Sequence, residues 1–353
     1  MTLPRFGPSP EAVLADATWT GPIAVCVPDA TRPLHPGPAL DALQPRIQGE
    51  MRVIVGLGLH RRMTAAERAL LAPWAPIEHD PDDVVATATV DGIPGTIFRE
   101  VARCTSAIGI GVVELHQYAG VSGGHKAVAV GCGGRQTISA LHARARVLAP
   151  GVEVGRLDGN PFRAAVDALG EAAGCTHALV WIPELGEWGF GEPRALVAAA
   201  ARRLQPWHTV SRRYHSVRIQ VPAAKGRTLY QASRAATYLT ASPAPPLERG
   251  ARIQLVASLD EGLGHEAGFV AALHRTPPPW GALLDGPAPT GAGAQRAVML
   301  ALLARSYRLE LVGCADPAPF RRVGIEATAA VPPLRADQLV IPMPFSRLPQ
   351  LSH

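Results

Sequence analysis

A short apolar run at residues 23–27 stops at the polar sequence Pro28-Asp29-Ala30-Thr31-Arg32-Pro33. Such a run ending at turn residues reads as a buried strand that delivers a loop. Residues 52–59 repeat the arrangement and end at His60-Arg61, with Thr64 placed to cap a helix over 65–71. A third run, 107–113, leads into His116 and a glycine-rich stretch, after which a helix carrying His142 is expected from about 134 to 148. Helices at 160–173 and 193–204 flank a strand at 177–183. The pattern pauses at Gln205-Pro206-Trp207-His208. It resumes with strands at 214–221, 252–258, 309–313 and 339–342 and helices at 228–240 and 294–305. Between them lie the glycine-rich stretch 261–265 and the proline-rich stretch 276–280.

Alternating strands and helices predict an α/β fold, and the pause near residue 207 predicts two α/β domains with the active site in the cleft between them. Residues 1–207 form the expected cofactor-binding domain and 208–336 the domain that closes over the substrate. The tail, 337–353, is expected to pack back on the first domain. In such folds ligands gather beyond the carboxyl ends of the strands, where Asp29, His60 and His116 fall. The helix over 228–240 sets Tyr230 and Arg234 on one face with Gln231 beside them, a trio that taken alone reads as a solvated helix face.

At 353 residues and 47% hydrophobic content the chain has material for two cores. Its net charge of +5 is spread along the sequence and argues for solubility rather than a nucleic-acid partner. Five cysteines without a Cys-x-x-Cys pair speak against a disulfide framework and a zinc ribbon, and fit a cytoplasmic protein. No export signal is read at Met1-Thr-Leu-Pro-Arg-Phe-Gly-Pro, and no run approaches the ~18 apolar residues of a membrane span. No membrane partner is expected.

One compositional detail changes the picture. Of the 34 Lys and Arg residues only Lys126 and Lys225 are lysines. A lysine inside the glycine loop is then best explained by what guanidinium cannot do, namely lose its proton and act as an amine nucleophile.

The loop Gly120-Val-Ser-Gly-Gly-His-Lys126 invites comparison with a phosphate-binding P-loop, yet Ala127 stands where a magnesium-binding hydroxyl belongs. Alternatively His60, His116 and His142 are candidates for a zinc triad of a hydrolase, a reading that leaves Lys126 without a task.

Asp29-Ala-Thr-Arg32, Gly58-Leu-His60-Arg61, and His116 followed by Lys126 and His142 occur in an order and spacing that resembles the nickel-dependent lactate racemase family. The resemblance is strong in the N-terminal part and continues more loosely through Tyr230-Gln231 and Asp260-Glu-Gly-Leu-Gly264. It implies a racemase or epimerase of 2-hydroxy acids that works through a nickel-pincer nucleotide, a pyridinium-3,5-bisthiocarboxylic acid mononucleotide. By the resemblance Lys126 is the covalent anchor, through a thioamide, and His142 completes the nickel coordination. His60 and His116 are the acid/base pair. Arg32 holds the substrate carboxylate, with Asp29, Tyr230, Gln231 and Arg234 lining the pocket. Cofactor-synthesis enzymes are implied as transient partners.

The chemistry is consistent with that division. Hydrogen on C2 beside an ionised carboxylate is barely acidic, so hydride transfer avoids an inaccessible carbanion. Imidazole, with a pKa of about 6.5, suits proton exchange with the hydroxyl in both directions. Gly123 and Gly124 would let the backbone approach a flat cofactor, and the glycines at 131, 133 and 134 precede a helix end suited to a phosphate.

The chain departs from the family at the substrate wall. Arg234 replaces a lysine, and Gly291-Ala-Gly-Ala-Gln295 stands where a tryptophan is expected. Lactate or a larger 2-hydroxy acid is therefore the expected substrate. The competing class is a non-catalytic relative that binds a nucleotide or small acid.

Overall fold

The computed structural model describes residues 3–352 apart from 277 and 279. Pro277 and Pro279 of the proline-rich stretch thus lie outside the described residues.

Seven strands form the first sheet, in the order Arg5–Gly7, Glu187–Gly191, Cys175–Ile182, Ser106–Val112, Ile23–Pro28, Met51–Gly56 and Ile77–Glu78. Ile23–Pro28 runs parallel to both of its neighbours. Both faces of the sheet are covered, which is why this strand is apolar at every step. Val25 and Val27 pack with Val53, Val55, Ile108 and Ile110 on one face. Ala24 and Cys26 pack with Ile54, Ala107, Val128 and Cys132 on the other. Glu187–Gly191 adds an antiparallel hairpin that the sequence pattern does not predict, because glycines dilute the strand signal of Trp188-Gly-Phe-Gly191.

Five parallel strands form the second sheet, in the order Glu326–Thr328, Arg308–Val312, Leu247–Val256, Tyr214–Gln220 and Leu339–Ile341. Helices Leu229–Thr240 and Ala294–Ser306 share its core. The molecule is thus an α/β fold built on two sheets. Leu339–Ile341 lies at an edge of the second sheet, and Leu348–Leu351 pairs with Trp207–Val210. Between those two strands the Phe345 carbonyl accepts from the amide of Leu115, so the C-terminal segment touches the loop that carries His116.

Helix Ala65–Leu71 forms where expected, closed by a capping box between Thr64 and Glu67. The helix expected over 134–148 is instead two, Arg135–Leu141 and Arg144–Val147. His142 ends the first: its Nδ1 donates to the Ile138 carbonyl at 2.8 Å, as histidines at helix C-termini do. Among the described residues no helix is long and apolar enough to cross a membrane, and the five cysteines are free.

Candidate active site

The site begins with close backbone packing. A Cβ on Gly56 would lie 3.0 Å from the Gly131 backbone, and one on Gly109 would lie 3.1 Å from both the Ala127 Cβ and the Gly124 carbonyl. Glycines in the strands, as well as in the loop, let the segment carrying Lys126 lie directly on the first sheet. The Gly58 amide then donates to the Gly131 carbonyl at 2.9 Å, joining the His60 turn to the end of that segment.

Buried polar groups hold the loop in shape. Ser122 Oγ donates to the Val112 carbonyl at 2.6 Å and accepts from the Glu114 amide at 3.0 Å. Arg163 donates through Nη1 to the Val121 carbonyl at 3.2 Å and through Nε to Asp167 at 3.0 Å. Asp167 also meets His125 Nδ1 at 3.1 Å. Lys225, the second lysine of the chain, donates to both carboxylate oxygens of Glu114 at 2.5 and 2.6 Å. This pair is almost wholly buried and ties the root of the loop to the C-terminal part.

The result is a cavity of about 360 Å³, within the size range of small-molecule sites. Asp29, Arg32, His60, His116, Gly123, Lys126 and His142 line it from the N-terminal part, and Tyr230 and Arg234 from the C-terminal part. Tyr230 and Arg234 are buried, which corrects the reading of a solvated helix face. Gln231 is buried next to them but does not line the cavity, and Gly124 is not in its wall. A side chain on Gly124 would meet Val197 and the Pro193 carbonyl. At the helix end expected to seat a phosphate, the amides of Gly134 and Arg135 donate to the Thr96 and Pro81 carbonyls.

The electrostatics single out Lys126. Desolvation pushes its amine well below the ordinary lysine value, and the Arg32 and Arg234 guanidiniums push it further. A neutral amine is a nucleophile. His142 is held down to about 4, by burial first, and because its Nδ1–H is committed to Ile138 its Nε2 is left with a lone pair for a ligand.

The other two histidines differ. His60 Nδ1 lies 2.6 Å from Asp29 Oδ2. Burial works to raise the Asp29 carboxyl, but His60, Thr31 and Arg32 outweigh it and hold it well below the usual carboxylate range. His116 Nδ1 accepts from the amides of Ala119 at 3.0 Å and Tyr118 at 3.3 Å, so the neutral ring carries its proton on Nε2. Burial, Lys126, Arg234 and Arg32 hold this imidazole well below the ordinary histidine value.

Among the described residues no three His, Cys, Asp or Glu side chains are grouped to hold a metal ion, so His60, His116 and His142 share a cavity without forming the zinc triad considered from sequence. The cavity also contains groups that sequence reasoning passed over: Tyr118, Arg144, Glu266 and Arg296. Arg296 donates to Gln117 and Thr237 at 2.7 and 2.8 Å. The only sequence signal for it was its place beside Gln295, where the family pattern breaks.

Fold and site together define an α/β protein with a cationic small-molecule cavity built around a deprotonatable lysine. Residues 14–154 match the family described as the lactate racemase N-terminal domain. The fold is similar to that of the lactate racemase apoprotein from Thermoanaerobacterium thermosaccharolyticum, with a TM-score of 0.80 at 16% identity over 99% of this chain and 94% of that one. It is also similar to a Thermotoga maritima protein solved by structural genomics, with a TM-score of 0.73 at 15% identity over 97% of this chain and 96% of that one. No curated protein matches the chain by sequence.

Proposed function

We propose that this protein is a racemase or epimerase of 2-hydroxy acids that carries a nickel-pincer nucleotide on Lys126. The observation that supports it most is a desolvated lysine in one cavity with His142 and with two further histidines of different hydrogen-bonding state. The residues suit the cofactor: Lys126 supplies a neutral amine for the covalent link, and His142 supplies an imidazole lone pair for the metal. When bound, the cofactor would supply reversible hydride acceptance for C2 of the substrate.

The remaining chemistry belongs to the chain. Arg32, always charged, holds the substrate carboxylate through paired N–H donors. His60 accepts the hydroxyl proton at Nε2, and Asp29 stabilises the imidazolium that results. His116 rests with Nε2–H available and offers it to the oxygen, since two backbone amides occupy its Nδ1. Together they form an acid/base pair whose resting states are complementary.

A panel of single-enantiomer 2-hydroxy acids, incubated with cofactor-loaded protein and analysed by chiral chromatography, tests this. Conversion of at least one acid to its C2 epimer is expected, and lost when His60 is replaced. Protein that is loaded yet epimerises none of them contradicts the activity and favours the binding-only relative.

A further inference from the structure

Of the two lysines among 34 Lys and Arg residues, Lys126 has a task in the chemistry above and Lys225 has none. What an ammonium offers over a guanidinium is a compact point charge. Lys225 uses it in a closed slot: it is 3% exposed, its Nζ donates to both oxygens of Glu114 at 2.5 and 2.6 Å, and it sits 4.0 Å from the centre of the Phe345 ring.

Glu114 opens the run of four residues that leads into the loop, and the C-terminal part holds the three that flank His116. Leu115 donates its amide to the Phe345 carbonyl at 2.7 Å and packs its side chain in the core of the second sheet. Gln117, 2% exposed, accepts through Oε1 from Thr237 at 2.9 Å and from Arg296 at 2.7 Å. These anchors come from four separate elements: the short turn Ala223–Lys225, helices Leu229–Thr240 and Ala294–Ser306, and the segment between strands Leu339–Ile341 and Leu348–Leu351. Of the four residues in the run only His116 lines the cavity. The loop itself contributes less. Ser122 accepts from the Glu114 amide, and Leu115 and His116 pair with Val121 and Gly120 in a ribbon two residues long, too short to persist on its own.

Resting on the assignment of His116 as an acid in the racemase reading, we infer that Lys225 is a positioning residue for the reaction: acting through Glu114, it fixes the path of the run, and so the aim of the His116 Nε2–H, while the C-terminal part is seated on the loop. The amides of Tyr118 and Ala119 that select the His116 tautomer reach its Nδ1 only along that path. A buried ion pair adds little net stability over apolar packing, and here its worth is to specify one arrangement. His60 needs no such help, since its partner Asp29 follows a strand of the same sheet.

The test is ¹⁵N-histidine NMR of the full-length, cofactor-free protein, which reads ring tautomers without turnover, with His116→Asn to assign the signal. Wild type is expected to show His116 as a single Nε2–H tautomer at neutral pH. In Lys225→Met the same signal should become an average of both tautomers, with His60 and His142 unchanged. Thr237→Val, which removes one anchor of Gln117, should move it the same way by less. A mixed tautomer in wild type overturns the inference, as does a folded Lys225→Met with His116 unchanged. A change shared by all three histidines also overturns it and makes the pair a general structural tie. Should Lys225→Met fail to fold, Thr237→Val carries the test, and an unmoved His116 signal there is the contrary result. In cofactor-loaded protein Lys225→Met should lower kcat about ten- to a hundredfold with KM within about twofold, the mark of a misplaced group rather than lost binding. A raised KM with kcat kept contradicts the positioning role. Wild type that is loaded yet epimerises no acid contradicts the racemase reading instead, and leaves the tautomer result standing.

Discussion

The two sides of the cavity hold their histidines by opposite means. On one side His60 sits on a turn after a strand, 22% exposed at its side chain, and leans on a single carboxylate, Asp29. On the other, His116 is 7% exposed and its loop is fastened by Glu114–Lys225, Ser122 and the Arg163–Asp167–His125 cluster. A carboxylate partner lets a ring gain and lose a proton, whereas amide donors at Nδ1 and surrounding cations keep a ring neutral. The two are not interchangeable in their surroundings: His60 faces a carboxylate, His116 two amide donors and a set of cations.

Replacing either ring with Asn should lower racemisation by about 10²- to 10⁴-fold, the usual worth of a positioned acid or base, measured from initial rates in both directions. The sides should separate in stability. Glu114→Gln leaves the buried Lys225 ammonium without its partner and is expected to cost about 3–5 kcal/mol in chemical denaturation. His60→Asn should cost far less, and equal losses would erase the contrast. Asp29→Asn, which removes only the support for the His60 proton, should slow turnover by about ten- to a hundredfold with binding of the acid little changed.

The smallest effect is a pH slope. His142 and the buried His79 are both held to about 4 by burial. Between about 6.5 and 4 the unfolded chain therefore binds protons that the folded chain refuses, and stability should fall with pH by at most about 1.4 kcal/mol per unit for each group. Denaturation midpoints across that range check it, with His142→Gln expected to flatten the slope.

Much of this was legible in the sequence where one force dominates. Fully buried parallel strands such as Ile23–Pro28 announce themselves as unbroken apolar runs, and Pro193–Leu204 is fixed by a proline start and a periodic face. The scarcity of lysine pointed to Lys126 before any geometry did. Most of what escaped is set by contacts distant in sequence. The burial of Arg234 depends on packing between helices and the Glu114–Lys225 pair spans 111 positions, whereas the break at His142 comes from a local cap, its ring on the Ile138 carbonyl, that periodicity does not show. Gln231, singled out by resemblance, lies behind the wall because its helix turns Tyr230 and Arg234 inward.

The chemistry proposed for the cavity rests on the tether at Lys126. Protein co-expressed with the cofactor-synthesis enzymes should carry nickel and an added mass that peptide mapping places on Lys126, and Lys126→Arg should carry neither. An unmodified Lys126 in protein that has acquired zinc would contradict it.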